Sequence, residues 1–137
     1  MDTRIKAVHK RHDRGFNCAQ AVSCAYADCV GVEEELVFRA TEGLGLGMGC
    51  MDGTCGALTG AIVLAGLANS SANLAAPSSK AATYELVARM CARFRERCGS
   101  LVCRELRGED SGTPLMPCSD CITEGAMIVE EMLLENA

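Results

Sequence analysis

Ten cysteines in a chain of 137 residues are the side chains with the most chemistry to offer. Cys55 is the sharpest of them. It stands between the glycine-rich stretch "EGLGLGMGCMDG" and the apolar run "CGALTGAIVLAGL", where a helix is expected to begin. A thiol in the first turn of a helix feels the positive end of the macrodipole and unpaired backbone N–H groups, and both favour thiolate. Gly43, Gly45, Gly47, Gly49 and Gly53 do not suit a helix interior; they indicate a loop with positive φ or a backbone that comes close to something else. Gly53 and Gly56 are the expected points of backbone approach. The competing reading of Cys55 is a small buried residue packed against Gly60, but the coincidence of glycine loop and helix entry favours function. Asp52 is read as a loop or capping residue, since a carboxylate beside Cys55 would oppose thiolate formation.

Cys18 occupies a similar place just after Asn17, a plausible N-cap, although it also lies on a stripe with Val22, Ala25 and Cys29. Cys103 falls in the short segment "GSLVCRELRG", where core packing explains a thiol poorly. Cys118 and Cys121 form "CSDC", the one C-x-x-C of the chain, a spacing that serves dithiol pairs and metal chelation alike. A zinc ribbon needs a second such pair, and there is none. Cys24, Cys29, Cys91 and Cys98 read as core residues. His9 and His12 lie in a basic N-terminal segment and read as solvated surface, so a Cys–His nucleophilic site has little support. No phosphate loop, dinucleotide fingerprint or haem attachment motif is present.

The elements that must position these thiols follow from composition and punctuation. The chain is 49% hydrophobic and 23% charged, with no Trp, two Tyr and three Phe. A core of Ala, Leu, Val, Ile, Met and Gly suits closely packed helices better than a sandwich of strands. Helices are expected over part of 3–14 before Gly15, from Asn17 to Gly31, over 33–41 with Leu36 and Val37 facing inward, and from about Thr54 to Ala68. Two more run over 80–97, capped by Ser78 or Ser79, and from Cys118 to Leu134, with a helical turn around Cys103. The 54–68 helix is apolar nearly all round, as befits a central one, and its small residues recur four apart so that neighbours approach closely. The expectation is one all-α domain over 1–137, a bundle of five or six helices around that central helix.

A net charge of −5 argues against nucleic acid, whose phosphates require a surplus of Lys and Arg. The charged N-terminus has no apolar signal core, and the longest apolar run is too short and interrupted to span a bilayer. A cytoplasmic setting follows, and there abundant cysteine points to metal binding, redox chemistry or packing.

Taken together, "FNCAQAV", "GTCGALTGAIVLAGL", "GSLVCRELRG" and "PCSDCITEGAMIVEEML" resemble the family of small redox-active proteins known by the pattern C_GCAxxG_C_C. The resemblance runs from about Arg14 to Glu131, and its most specific element is C-G-A-x-x-G at 55–60. It implies four characteristic cysteines: Cys18, Cys55, Cys103 and a fourth for which Cys118 is preferred, with Cys121 as substitute or partner. Relatives are described as redox-active without an established reaction. Four thiolates from four segments suit an iron–sulfur cluster, the leading expectation for a cofactor. The same thiols without a metal suit dithiol–disulfide exchange, and with zinc or Cu(I) they suit a metal-binding module. The partner would be a redox protein, a transporter or an enzyme on which the module docks, and a homodimer is compatible with the small-residue faces.

Overall fold

The computed structural model describes residues 2–134; Met1 and residues 135–137 of the expected 1–137 domain lie outside that range. The chain folds as a bundle of α1 (Asp2–Asp13), α2 (Cys18–Ala25), α3 (Glu34–Thr41), α4 (Gly56–Asn69), α5 (Lys80–Cys98), the single-turn α6 (Cys103–Arg107) and α7 (Cys118–Ile128). Among the described residues there is no strand, only an isolated bridge between Thr54 and Val102. The all-α expectation holds. The segment expected as a helical turn around Cys103 forms the short helix α6, which brings the number of helices among the described residues to seven, above the five or six expected.

Helix α4 is the centre, packed against α2, α5 and α7. Leu58, Leu64, Ala57, Ala61 and Ala65 are fully buried on it, and each of the two leucines contributes roughly 1.5–3 kcal/mol of burial. Small residues let the helix axes close in. A Cβ at Gly60 would press on the Ala19 carbonyl of α2, and one at Gly125 of α7 would press on the Ala57 carbonyl of α4. The run of Gly and Ala therefore makes α4 a helix that neighbours touch along the backbone itself.

Three local expectations are corrected. Leu36 is 56% exposed, and Val37 alone turns inward from α3. Cys29 is exposed, because the α-helix ends at Ala25 and a 3-10 turn over Ala27–Val30 breaks the helical stripe that linked it to Cys18. Neither serine supplies the expected side-chain cap for α5: Ser79 stands at the N-cap position, but its Oγ accepts the Ser71 N–H (2.8 Å) rather than one of the helix.

The last helix is α only to Ile128 and continues as a π-helical turn over Val129–Leu134. That turn buries Glu130, whose carboxylate accepts a hydrogen bond from the Tyr26 hydroxyl of the Tyr26–Ala27 corner (2.8 Å). The adjacent Glu131 receives Arg93 (2.8 Å) and Arg97 (2.9 Å) from α5. Among the described residues no helix is long and apolar enough to cross a membrane.

Candidate functional site

Cys18, Cys103 and Cys118 are each the first residue of a helix, and Cys55 is the N-cap of another. Local sequence accounts for each start. Asn17 caps α2 in a reciprocal box: its Oδ1 accepts the Gln20 N–H (2.8 Å), and Gln20 Oε1 accepts the Asn17 N–H (3.0 Å). Pro117 stands at the N-cap of α7, in an extended conformation. Gly99, in the left-handed region, ends α5 and turns the chain toward α6. Four helix starts thus converge, and Cys18, Cys55, Cys103, Cys118 and Cys121 line one cavity of about 190 Å³.

The glycine-rich segment forms the cavity's other wall. Leu46, Gly47, Met48 and Gly49 have φ of 55°, 58°, 65° and 79°, a run of left-handed backbone in which the two non-glycine residues each cost about 1–2 kcal/mol. Hydrogen bonds hold this turn in place. The Leu46 carbonyl accepts the Met51 N–H (2.8 Å), and the Gly47 carbonyl accepts the Gly53 N–H (3.0 Å). Further bonds stitch the segment to the α6 start: Gly53 O accepts Cys103 N–H (3.0 Å), Met51 O accepts Arg104 N–H (2.8 Å), and Leu101 O accepts Cys55 N–H (2.7 Å). The close-approach expectation applies to both glycines. Gly53 passes under Met48, and Gly56 leaves the space in which the Cys18 sulfur lies. Gly47 does the same for Cys103, at 3.2 Å from a Cβ position to Sγ.

The thiols differ in electrostatics. Cys55 is held down at about 7, first by the Cys121 thiol donating to it, against burial, with the Ala57 and Leu58 N–H groups and the Arg107 charge helping. Burial pushes Cys18 up, opposed by the backbone N–H groups of Leu46 and Ala19. Cys103 is pushed up to about 11 by burial and then by the neighbouring Cys55 thiolate. The field of Cys118 reaches both Cys18 and Cys103. At neutral pH the cavity therefore favours a thiolate at Cys55 over one at Cys18, Cys103 or Cys121.

Cys118 sits exposed at the rim, and Cys121 lies buried one turn further into α7. The C-x-x-C thus divides into an outer and an inner thiol. Cys121 touches Cys55 on one side and Cys98 on the other, and its proton is strongly retained because both sulfurs accept from it. One S–H serves only one acceptor at a time, and the Met116 carbonyl (3.9 Å) competes as a third. Sequence reasoning placed Cys98 in the core, where it is, but not beside a site thiol; no local pattern links residues 98 and 121. Cys24 is buried with Val37 and Ala27, Cys91 is half-buried, and Cys29 and Cys50 are exposed. His12, read as solvated surface, lines the cavity, whereas His9 bonds Thr123 (2.7 Å). Asp52 pairs with Arg104 (3.0 Å).

Arg107, at the end of α6, is a cavity residue that the sequence reading did not single out. Among the described residues, no three His, Cys, Asp or Glu side chains stand close enough to hold one metal ion. A single tetrahedral ion needs every sulfur about 2.3 Å from one point. These thiols instead surround a void.

A family described as "Putative redox-active protein (C_GCAxxG_C_C)" has a profile that matches residues 16–132. No curated protein and no solved structure matched the chain.

Proposed function

The chain belongs to the C_GCAxxG_C_C family of redox-active proteins, and from that premise we propose that it works as a small electron-transfer protein whose reactive groups are Cys18, Cys55, Cys103 and Cys118. The observation that carries this reading is the convergence of these four cysteines, each at the start of a different helix, on one cavity. Helix starts supply partial positive charge and free N–H groups that would favour an anionic group ligated there, although burial holds Cys18 and Cys103 protonated in the metal-free protein.

The donor chemistry fits an iron–sulfur cluster better than a single ion. The four thiols line a void rather than meeting at a point, and four cysteine thiolates are the donor set that would hold such a cluster through its irons. Cys18, Cys55, Cys103 and Cys118 would hold it, with Gly53 and Gly56 admitting the backbone close by. When bound, such a group accepts and donates single electrons. The chain's own part is to exclude water with Leu46, Leu106 and Met116 and to direct N–H groups at the sulfurs. The ten free thiols fit a reducing, cytoplasmic setting, with a redox protein as the electron partner.

A second reading is favoured by the contact between the Cys55 and Cys121 thiols. Without a metal, these two would lose two electrons and two protons to a partner's disulfide, forming one S–S bond as the partner's breaks. Anaerobic purification followed by a visible spectrum and assays of iron and acid-labile sulfide tests the first reading. A brown protein with stoichiometric iron and sulfide supports it. A colourless, iron-free protein with a reversibly oxidised thiol pair sinks it in favour of the second.

A further inference from the structure

The sulfurs are not the whole of the cavity: it also holds a cation. The Arg107 side chain lines it beside Cys18, Cys55 and Cys103, its Nε is buried, and that Nε has no hydrogen-bond partner among the described residues. The contrast with other arginines is informative. Arg4 pairs with Asp28, Arg11 with Glu34, Arg97 with Glu131 and Arg104 with Asp52, while no carboxylate of the described chain is offered to Arg107. A buried donor without an acceptor costs about 1–3 kcal/mol, and more when it carries charge. The Arg107 charge faces the Cys55 thiolate, and its buried Nε retains donor capacity for a further acceptor in the void.

The void limits what that acceptor is. At about 190 Å³ it is roughly six times the share of one water in the liquid, at ~30 Å³ each. The starts of α2, α4 and α7 add partial positive charge on its walls, and Leu46, Leu106 and Met116 add apolar surface beside His12 and Asn17. We propose that this cavity binds a small anionic ligand, a carboxylate or inorganic oxyanion of a few heavy atoms, with the Arg107 guanidinium as its counter-ion and the Cys55 and Cys103 sulfurs beside it. The inference rests on the second, metal-free reading of the site, in which the cavity thiols themselves react, and names the class of molecule that reaches them. Arg107 is here a binding residue; the chemistry belongs to the sulfur.

Alkylation of the reduced, metal-free protein tests this, read at each cysteine by peptide mass spectrometry. Iodoacetate is a small carboxylate, and iodoacetamide is its neutral counterpart of nearly the same size. Each is attacked by the thiolate with loss of iodide, so the fraction of thiolate cancels in the ratio of the two rates. The ratio at Cys55 is expected to exceed that at exposed Cys50 by about tenfold, the scale of one charge-assisted contact in a partly buried site. Arg107→Gln should bring the two ratios together, Arg107→Lys should keep most of the difference, and inorganic sulfate should slow iodoacetate in the wild type only. Equal ratios at Cys55 and Cys50 in the wild type overturn the proposal. So does an Arg107→Gln variant in which both reagents slow by the same factor, because the guanidinium then serves only the Cys55 thiolate. If Arg107→Gln does not fold, sulfate competition in the wild type and the Arg107→Lys ratio decide. Because the protein is metal-free in this assay, its outcome is independent of whether iron is found in the purified protein.

Discussion

Gly56 stands so close to Cys18 that a methyl group on Gly56 would overlap the Cys18 sulfur, while the next contact is the Ala19 backbone nitrogen at 3.1 Å. The first residue of the central helix and the first residue of α2 thus share one space. Gly56→Ala should destabilise the protein by about 1–3 kcal/mol through overpacking and displace Cys18 from the cavity. Gly66, on the same helix, has open space where its Cβ would be. There Gly66→Ala should stabilise by roughly 0.5–1 kcal/mol through helix propensity. Urea denaturation of the two variants checks both the signs and the contrast.

The pairing of Cys121 with Cys55 predicts a pH signature in the metal-free protein. With Cys55 held at about 7 and Cys103 at about 11, iodoacetamide should modify Cys55 with a rate that rises through neutral pH, while Cys103 stays inert until strongly alkaline pH. Cys121→Ala removes the donor and should move the Cys55 profile upward, toward the ordinary thiol range. The stability signs follow. The lowered Cys55 value contributes stability present above the ordinary thiol range and lost as pH falls toward about 7. The raised Cys103 value contributes stability present below that range and lost as pH rises toward about 11. Alkaline loss traceable to Cys103 should be on the order of 1–2 kcal/mol and should shrink in Cys103→Ala.

Asn17 does two things at the entrance of α2. Besides its box with Gln20, its Nδ2 donates to the Glu42 carbonyl (2.9 Å), tying the helix start to the segment that leads into the glycine turn. Asn17→Ala should cost about 1–2 kcal/mol. Asn17→Asp keeps the acceptor for Gln20 but loses the donor to Glu42, so an intermediate loss is expected. Chemical denaturation ranks the three proteins.

Tyr26→Phe leaves the buried Glu130 carboxylate without the hydroxyl that serves it. A loss of about 1–3 kcal/mol is expected from the unsatisfied group. Replacing both partners with apolar residues, Tyr26→Phe with Glu130→Leu, should recover much of it. A double variant as unstable as the sum of the singles would show that the hydroxyl and carboxylate do not act as a pair.

Much of this architecture was legible because its signals are local. Asn17 with Gln20 marks the start of α2, Gly99 marks the end of α5, and the apolar surround of 57–65 marks a central helix. The placement of Cys18, Cys55 and Cys118 at helix starts follows from such punctuation, since caps and breakers act within a few residues, whereas Cys103 was expected only within a helical turn. Where a local pattern is interrupted by backbone geometry, the reading failed. The 3-10 turn after Ala25 took Cys29 out of its stripe, and Leu36 faces solvent although its neighbour Val37 is buried.

By itself, then, the sequence determined an all-α chain with thiols at helix entrances. Only the tertiary structure decided that four of those entrances open on one cavity, that Cys118 sits at its rim while Cys121 reaches inward to Cys55 and Cys98, and that Arg107 and His12 join them. The physical reason is range. Capping and helix propensity are set by neighbours in the chain, whereas the meeting of residues 18, 55, 103 and 118 depends on helix axes closing together through contacts such as Gly60 on Ala19 and Gly125 on Ala57, each made between residues far apart in sequence.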